Sequence, residues 1–344
     1  DSLSMRTQWS EGSDKKKVTS PVSLIVSAFA SLSDVRGTLT PQLNATEADT
    51  TLVLIDLGKG QNRMGGSILG QTLDQSGDVV PDVDDPQDLV NLVNAVNALR
   101  AKGQILAYHD RSDGGLLAAA AEMAFAGHVG VALNVDLLVT EGDGVSDSRM
   151  DTGDAKNWAG QVSARREELT LKALFNEELG VLLQVRTAER NDVMQTLREH
   201  GLSKFSHFVG KTRPTSSEID AGKGELQVWR DAKAVFSAPL ADLHQVWDAV
   251  SWKICQQRDN PANADAEHAA AGEPTLVMTS STFSRTTQAR SSASVSVNHA
   301  PPVASATRPS WLSSIAMICV LRAIRRPSSS SNSANRCVRL IRCW

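Results

Sequence analysis

One segment constrains this chain more than any other. It is a seven-residue loop, His109-Asp110-Arg111-Ser112-Asp113-Gly114-Gly115, set between a short apolar strand, Ile105 to Tyr108, and an alanine-rich helical stretch, Gly115 to Phe125. The alternation of strand, glycine-bearing loop and helix recurs along the chain. Thr51 to Leu57 is a compact apolar strand; Gly58, Gly60, Gly65 and Gly66 follow, and Ser67 to Gln71 reads as the start of a helix. Asp85 before Pro86 reads as an N-cap with proline at the first helical position. Leu89, Leu92, Val93, Val96 and Leu99 then mark one helical face. Val129–Leu137, Gly180–Val185 and Phe205–Val209 read as strands, and Ala188–His200 as a helix. Glu225–Val235 reads as a hairpin turning at Asp231 and Ala232, and Leu243, Val246, Trp247, Val250 and Ile254 define a last amphipathic helix. Strands alternating with helices predict a layered α/β (α+β) domain.

Two segments stand apart. Ser20 to Ala30 has Val22, Leu24, Val26 and Ala28 at a period of two and reads as a strand, but the opening strands lack the partners of a closed sheet. The first domain is therefore expected to be truncated upstream. Residues 139–168 are polar, rich in charge, Gly and Ser, and without period; they read as a long surface insertion.

The loop at 109–115 admits two readings. In one, it is a Mg-nucleotide site. The start of a helix presents unpaired N–H groups and a partial positive charge suited to phosphate. Gly114 and Gly115 permit close approach and unusual dihedrals. Asp110 leaves the strand end where a carboxylate can hold Mg²⁺, which prefers oxygen ligands, and Ser112 can donate to a nucleotide group. In the other, Asp113 is a plain N-cap and the glycines form a turn. No Gly-Lys-Ser/Thr follows at Walker spacing.

Charge is distributed unevenly. The net of −4 favours no class of partner. From Pro274 to Trp344, however, there are nine Arg and no Asp, Glu, Lys or Gly, so residues 1–273 carry a net of −13. The basic stretch from 273 to 344 reads as a disordered tail or as out-of-frame translation of GC-rich coding sequence; the rival is a genuine Arg/Ser segment that binds RNA. Three of the four cysteines, Cys319, Cys337 and Cys343, lie in it. That is neither a disulfide framework nor zinc-ligand spacing, so a reducing cytoplasm is the expected location. No charged-then-apolar stretch follows Asp1, so no secretory signal is expected, and the apolar run Ile315 to Leu321 is far short of a bilayer span. No membrane and no nucleic-acid partner are expected.

Several stretches, in order, carry a resemblance. Tyr108-His-Asp-Arg-Ser-Asp-Gly-Gly-Leu-Leu117, continuing to Ala121-Glu-Met-Ala-Phe-Ala-Gly-His128, resembles the signature of phosphoribosylformylglycinamidine synthase of the large single-chain type. Asp1-Ser-Leu-Ser-Met5 resembles the end of that family's Gly-Lys-Asp-Ser-Met-Ser-Met motif, and Thr19 to Phe29 the strand after it. Leu54 to Gly60, Phe175-Asn-Glu-Glu-Leu-Gly180 and Arg258-Asp-Asn-Pro261 are similar too. The resemblance runs from residue 1 to about 270, with 139–168 set aside.

What the resemblance implies is specific. The family converts formylglycinamide ribonucleotide, glutamine and ATP to formylglycinamidine ribonucleotide, glutamate, ADP and phosphate. The implied fold is aminoimidazole-ribonucleotide-synthetase-like (PurM-like). Residues 1–45 would be the end of its N-terminal subdomain, 46–255 its C-terminal domain, and 256–272 a linker. The chain would be the second synthetase half-core, with the remaining synthetase and glutaminase domains of the parent as partners. The implied cofactors are Mg²⁺ and ATP/ADP at an auxiliary site, with Asp110 on the metal and Ser112 on the nucleotide. No catalytic residue is carried over, and the chain alone is expected to be inactive. A second reading is a non-catalytic structural module whose nucleotide is a structural ligand. A third is a selenophosphate or thiamine-phosphate kinase type, which the collinear motifs disfavour.

Other candidates read as structural. Cys255 lies on the last amphipathic helix and has no strand-turn elbow before it. His109 either polarises a substrate or bonds locally. Glu177 and Glu178, being adjacent, point in different directions rather than pairing for acid–base work. Gly65-Gly66-Ser67 reads as a turn and helix start, and Trp247 and Trp252 as packing residues.

Overall fold

The computed structural model describes residues 6–19, 27, 29, 31, 34–77, 79–139, 158–213 and 224–272. Ser20–Ala30 lies almost wholly outside them, and the basic tail lies entirely outside them. The chain forms two compact units, dividing between Thr38 and Leu39. Within the first, β1 (Arg6–Glu11) and β2 (Asp14–Thr19) form an antiparallel hairpin, with Glu11 opposite Asp14. The polar stretch after residue 10 is thus a strand, and Gly12, at φ +65°, supplies the left-handed residue that a two-residue turn needs.

The second unit is built on a seven-stranded sheet. Its strands are β3 (Thr50–Asp56), β4 (Ala107–Asp110), β5 (Gly130–Asn134), β6 (Gly180–Arg186), β7 (Ser206–Arg213), β8 (Glu225–Arg230) and β9 (Lys233–Pro239). They lie in the order β4-β6-β3-β7-β5-β8-β9, antiparallel throughout except for the parallel pair β5–β8. β3 is buried at every position because both faces of the sheet are covered. Its period of two sorts the burial. Leu52 and Leu54 face a core with α3 (Gly115–Gly127), while Val53 and Ile55 face a second core with α2 (Pro86–Ala101).

The helix signals in the sequence hold at the ends and slip in the middle. Ser67 caps α1 (Ile68–Thr72), accepting from Gly70 N, and Asp85 caps α2, accepting from Gln87 N. On α2 the buried face is Leu92, Ala95 and Leu99; Leu89 and Val93, expected on it, are 41% and 53% exposed. β4 starts two residues later than the sequence suggests, and β5 ends at Asn134, ahead of a single 3₁₀ turn. Residues 158–168 correct the reading of 139–168 as aperiodic surface insertion. They are the first part of α4 (Trp158–Phe175), an 18-residue helix. Among its described side chains, residues 163–175, the buried apolar ones are Ala173, Leu174 and Phe175 in the last turn. The helix is also braced by Glu168–Lys172 at 2.7 Å and by Arg166–Asp231 at 2.5 Å, the latter to the turn between β8 and β9.

After α5 (Arg190–Glu199) and the β8–β9 hairpin, which turns at Asp231 and Ala232 in left-handed conformation, comes α6 (Leu240–Arg258). It buries Leu240, Leu243 and Val250, but leaves Ile254 39% exposed. α7 (Pro261–Ala271), capped by Asn260, packs back on it through Trp252 stacked on His268 at 4.2 Å. Trp247 lies beside Phe125 and donates to Glu122 at 2.9 Å. Both indoles are therefore packing residues. Among the described residues, no helix is long and apolar enough to cross a membrane.

Candidate functional site

The loop after β4 enters α3 through two consecutive left-handed glycines, Gly114 at φ +83° and Gly115 at φ +69°. Gly115 is needed for space as well. A Cβ there would lie 2.6 Å from the Asn176 carbonyl oxygen and 2.7 Å from that of Leu174. Asp113 does not cap α3; the N-cap position is Gly114, with no side-chain bond of its own. The cap comes from elsewhere in the chain. Glu177 Oε1 accepts from Gly114 N at 2.9 Å and from Ile68 N at 2.8 Å, tying the starts of α3 and α1 together. Burial, opposed by these two amide bonds and reinforced by Asp113, raises the Glu177 pKa from its ordinary value. Gly115 N bonds the Ser112 carbonyl at 2.9 Å. Two amides at this helix start are thus already engaged, which weakens the expectation of a phosphate seated on the bare helix terminus.

Glu177 and Glu178 do point apart. Glu178 is fully buried and takes Arg63 on both oxygens, at 2.7 Å from Nε and 2.8 Å from Nη2. Arg111, 4% exposed, turns inward between Asp110 and Ser112, which turn out. Its guanidinium pairs with Asp56 and donates to the carbonyls of Glu178 at 2.7 Å and Leu179 at 3.1 Å. Asp56 also accepts from Gly58 N and Gly60 N, fixing the turn after β3. Gly180 leaves the space: a Cβ there would lie 3.3 Å from Arg111 Nη2. This buried Asp56–Arg111 and Arg63–Glu178 network was not singled out in the sequence. The signal was present in the strand parity that carries Asp110 and Arg111 to opposite sides.

Asp110 and Ser112 are both exposed on the same loop. The Tyr108 hydroxyl donates to Asp110 Oδ1 at 2.6 Å; burial and this carboxylate together raise the phenol's pKa. His109 lies between them but bonds locally, through Nδ1 to the Asp110 carbonyl at 2.7 Å and through Nε2 to Glu122 at 3.0 Å. Burial pulls its pKa down, but Glu122 and the Asp110 carbonyl outweigh it, and the net direction is up. Among the described residues no group of three His, Cys, Asp or Glu side chains could hold a metal. Asp110 fits Mg²⁺ only as one ligand of a set completed by phosphate and water, a mode that ion commonly adopts. Cys255 is a free thiol on α6, 3.8 Å from Arg258 Nη2.

The layered sheet with the strand–loop–helix turn at its β4 end is the C-terminal domain of the AIR synthase related class, whose family profile matches residues 51–220. Residues 1–31 match the FGAR-AT PurM_N-like domain. Both matched stretches are PurM-like, and together residues 1–31 and 51–220 have the domains of a PurM-like fragment of the phosphoribosylformylglycinamidine synthase kind. Solved structures with a similar fold include PurLQS from Thermotoga maritima, at 13% identity and TM-score 0.39, covering 66% of this chain and 28% of that one. T. maritima PurL complexed with FGAR is similar at 14% identity and TM-score 0.42, with 60% and 29% covered. The hydrogenase maturation protein HypE from E. coli is similar at 18% identity and TM-score 0.33, with 54% and 49% covered. The chain therefore spans less than a third of the two T. maritima chains.

Proposed function

We propose that this chain is the second synthetase half-core of an ATP- and glutamine-dependent ligase that forms formylglycinamidine ribonucleotide, and that its loop after β4 serves an auxiliary Mg-nucleotide site. The carrying observation is the outward pair Asp110 and Ser112, displayed on a turn that Arg111 and Glu177 anchor from behind. Asp110 would contribute one oxygen to Mg²⁺, and Ser112 a hydroxyl to the nucleotide; bound Mg²⁺ would neutralise phosphate charge. The remaining ligands, and the ammonia supply, would come from the other synthetase and glutaminase parts of the parent, in the cytoplasm. By itself the chain is a non-catalytic module with weak nucleotide affinity, because one carboxylate and one hydroxyl cannot organise Mg-polyphosphate tightly.

Two measurements test this. In an ammonia-dependent assay with formylglycinamide ribonucleotide and ATP, the chain alone is expected to give no turnover; turnover would make it an autonomous ligase. In calorimetry with Mg-ADP, binding is expected to be weak and to vanish in Asp110→Asn. Micromolar affinity would refute the dependence on further ligands, and weak binding that survives the substitution would refute the assignment of Asp110.

A further inference from the structure

A cavity lies inside the larger unit, apart from Asp110 and Ser112, neither of which lines it. Its volume is about 490 Å³. Part of its lining is one face of α4, with Arg165, Leu169 and Lys172 at positions that repeat every turn and Asn176 just past the helix end. The turn after β3 contributes Lys59 and Gly60 to the lining, and the 3₁₀ turn before β7 adds Lys204 and Phe205. Leu54 of the sheet also lines it.

The charge of this lining is one-sided. Five basic side chains face one carboxylate, and that carboxylate, Asp56, is already paired with Arg111. The other four cations are Lys59, Arg165, Lys172 and Lys204. Two carboxylates outside the lining serve three of them. Asp88 takes Lys59 at 2.6 Å, and Glu168 takes both Lys172 at 2.7 Å and Arg165 at 3.8 Å. Glu168 is half-exposed, and exposed pairs of this kind contribute little and exchange partners readily. A cleft walled by low-dielectric side chains and edged by excess cations concentrates anions.

We propose that this cavity binds a small phosphate-bearing molecule, with the phosphate held by Arg165, Lys172 and Lys204 and the rest of the molecule against Leu54, Leu169 and Phe205. The inference does not depend on the nucleotide reading of the loop after β4.

The probe is inorganic pyrophosphate, titrated calorimetrically into the full chain with magnesium chelated, so that Asp110 takes no part. Saturable binding is expected. Arg165→Gln with Lys172→Gln should weaken it by at least about tenfold, since each charged hydrogen bond removed contributes on that scale. Lys204→Gln, at an exposed side chain on a single 3₁₀ turn, should weaken it in the same direction and guards against misfolding of the double variant. Asp110→Asn should leave it unchanged. No binding by the unaltered chain, binding indifferent to both cavity variants, or loss of binding in Asp110→Asn would each overturn the proposal.

Discussion

Replacing Gly115 by alanine tests the geometry of the loop most directly. At φ +69° an L-residue pays roughly 1–2 kcal/mol for the left-handed conformation alone. The added methyl would also lie within 2.6–2.8 Å of three backbone atoms of residues 174–176, contacts that no side-chain rotation relieves. Forcing extra volume into packed surroundings costs about 1–3 kcal/mol more. The sum for Gly115→Ala is about 2–5 kcal/mol. Gly201, at φ +74° with nothing within 4 Å of a built Cβ, carries the dihedral cost without the clash. Gly201→Ala should therefore cost only about 1–2 kcal/mol. Urea unfolding of both variants, compared at equal m-values, reads the difference. If Gly115→Ala were no more destabilising than Gly201→Ala, the close approach of the loop to residues 174–176 would be refuted.

Other consequences follow from the same network. Arg111→Met strands the buried Asp56 carboxylate and should cost about 3–5 kcal/mol in urea unfolding; a change under 1 kcal/mol would show the pair to be solvated. His109 has a folded pKa above its ordinary value, so its contribution to stability is present in full below about pH 6.5 and is lost as pH rises through the folded value. Glu122→Gln removes the principal group raising that pKa, so an NMR titration of the His109 ring should move downward; an unmoved midpoint would exclude the Glu122 contact. Glu177→Gln should free the starts of α1 and α3 in part, seen as faster hydrogen exchange at Gly114 and Ile68 with little change at β6. Equal exchange in both proteins would deny Glu177 its capping role.

How much of this was legible beforehand depends on the range of the interaction. The strands of the main sheet, the caps at Ser67 and Asp85 and the hairpin turn at Asp231-Ala232 rest on local dihedral preference and a period of two, and the chain itself carries those. The outward display of Asp110 and Ser112 was also legible, from a strand running into a helix through two glycines. α4 was not, because its described buried apolar side chains are confined to the last turn, and ion pairs at Arg166 and Glu168 brace the turns before it. Nor was the α2 face, where Ala95 takes the position against the sheet that Val93 was expected to fill. The sequence alone determined which loop carries a carboxylate and a hydroxyl between a strand and a helix. Only the tertiary structure decided what holds that loop. Arg111 reaches Asp56 across 55 residues and Glu177 reaches Gly114 across 63, and partners that distant are chosen by how the sheet and helices pack.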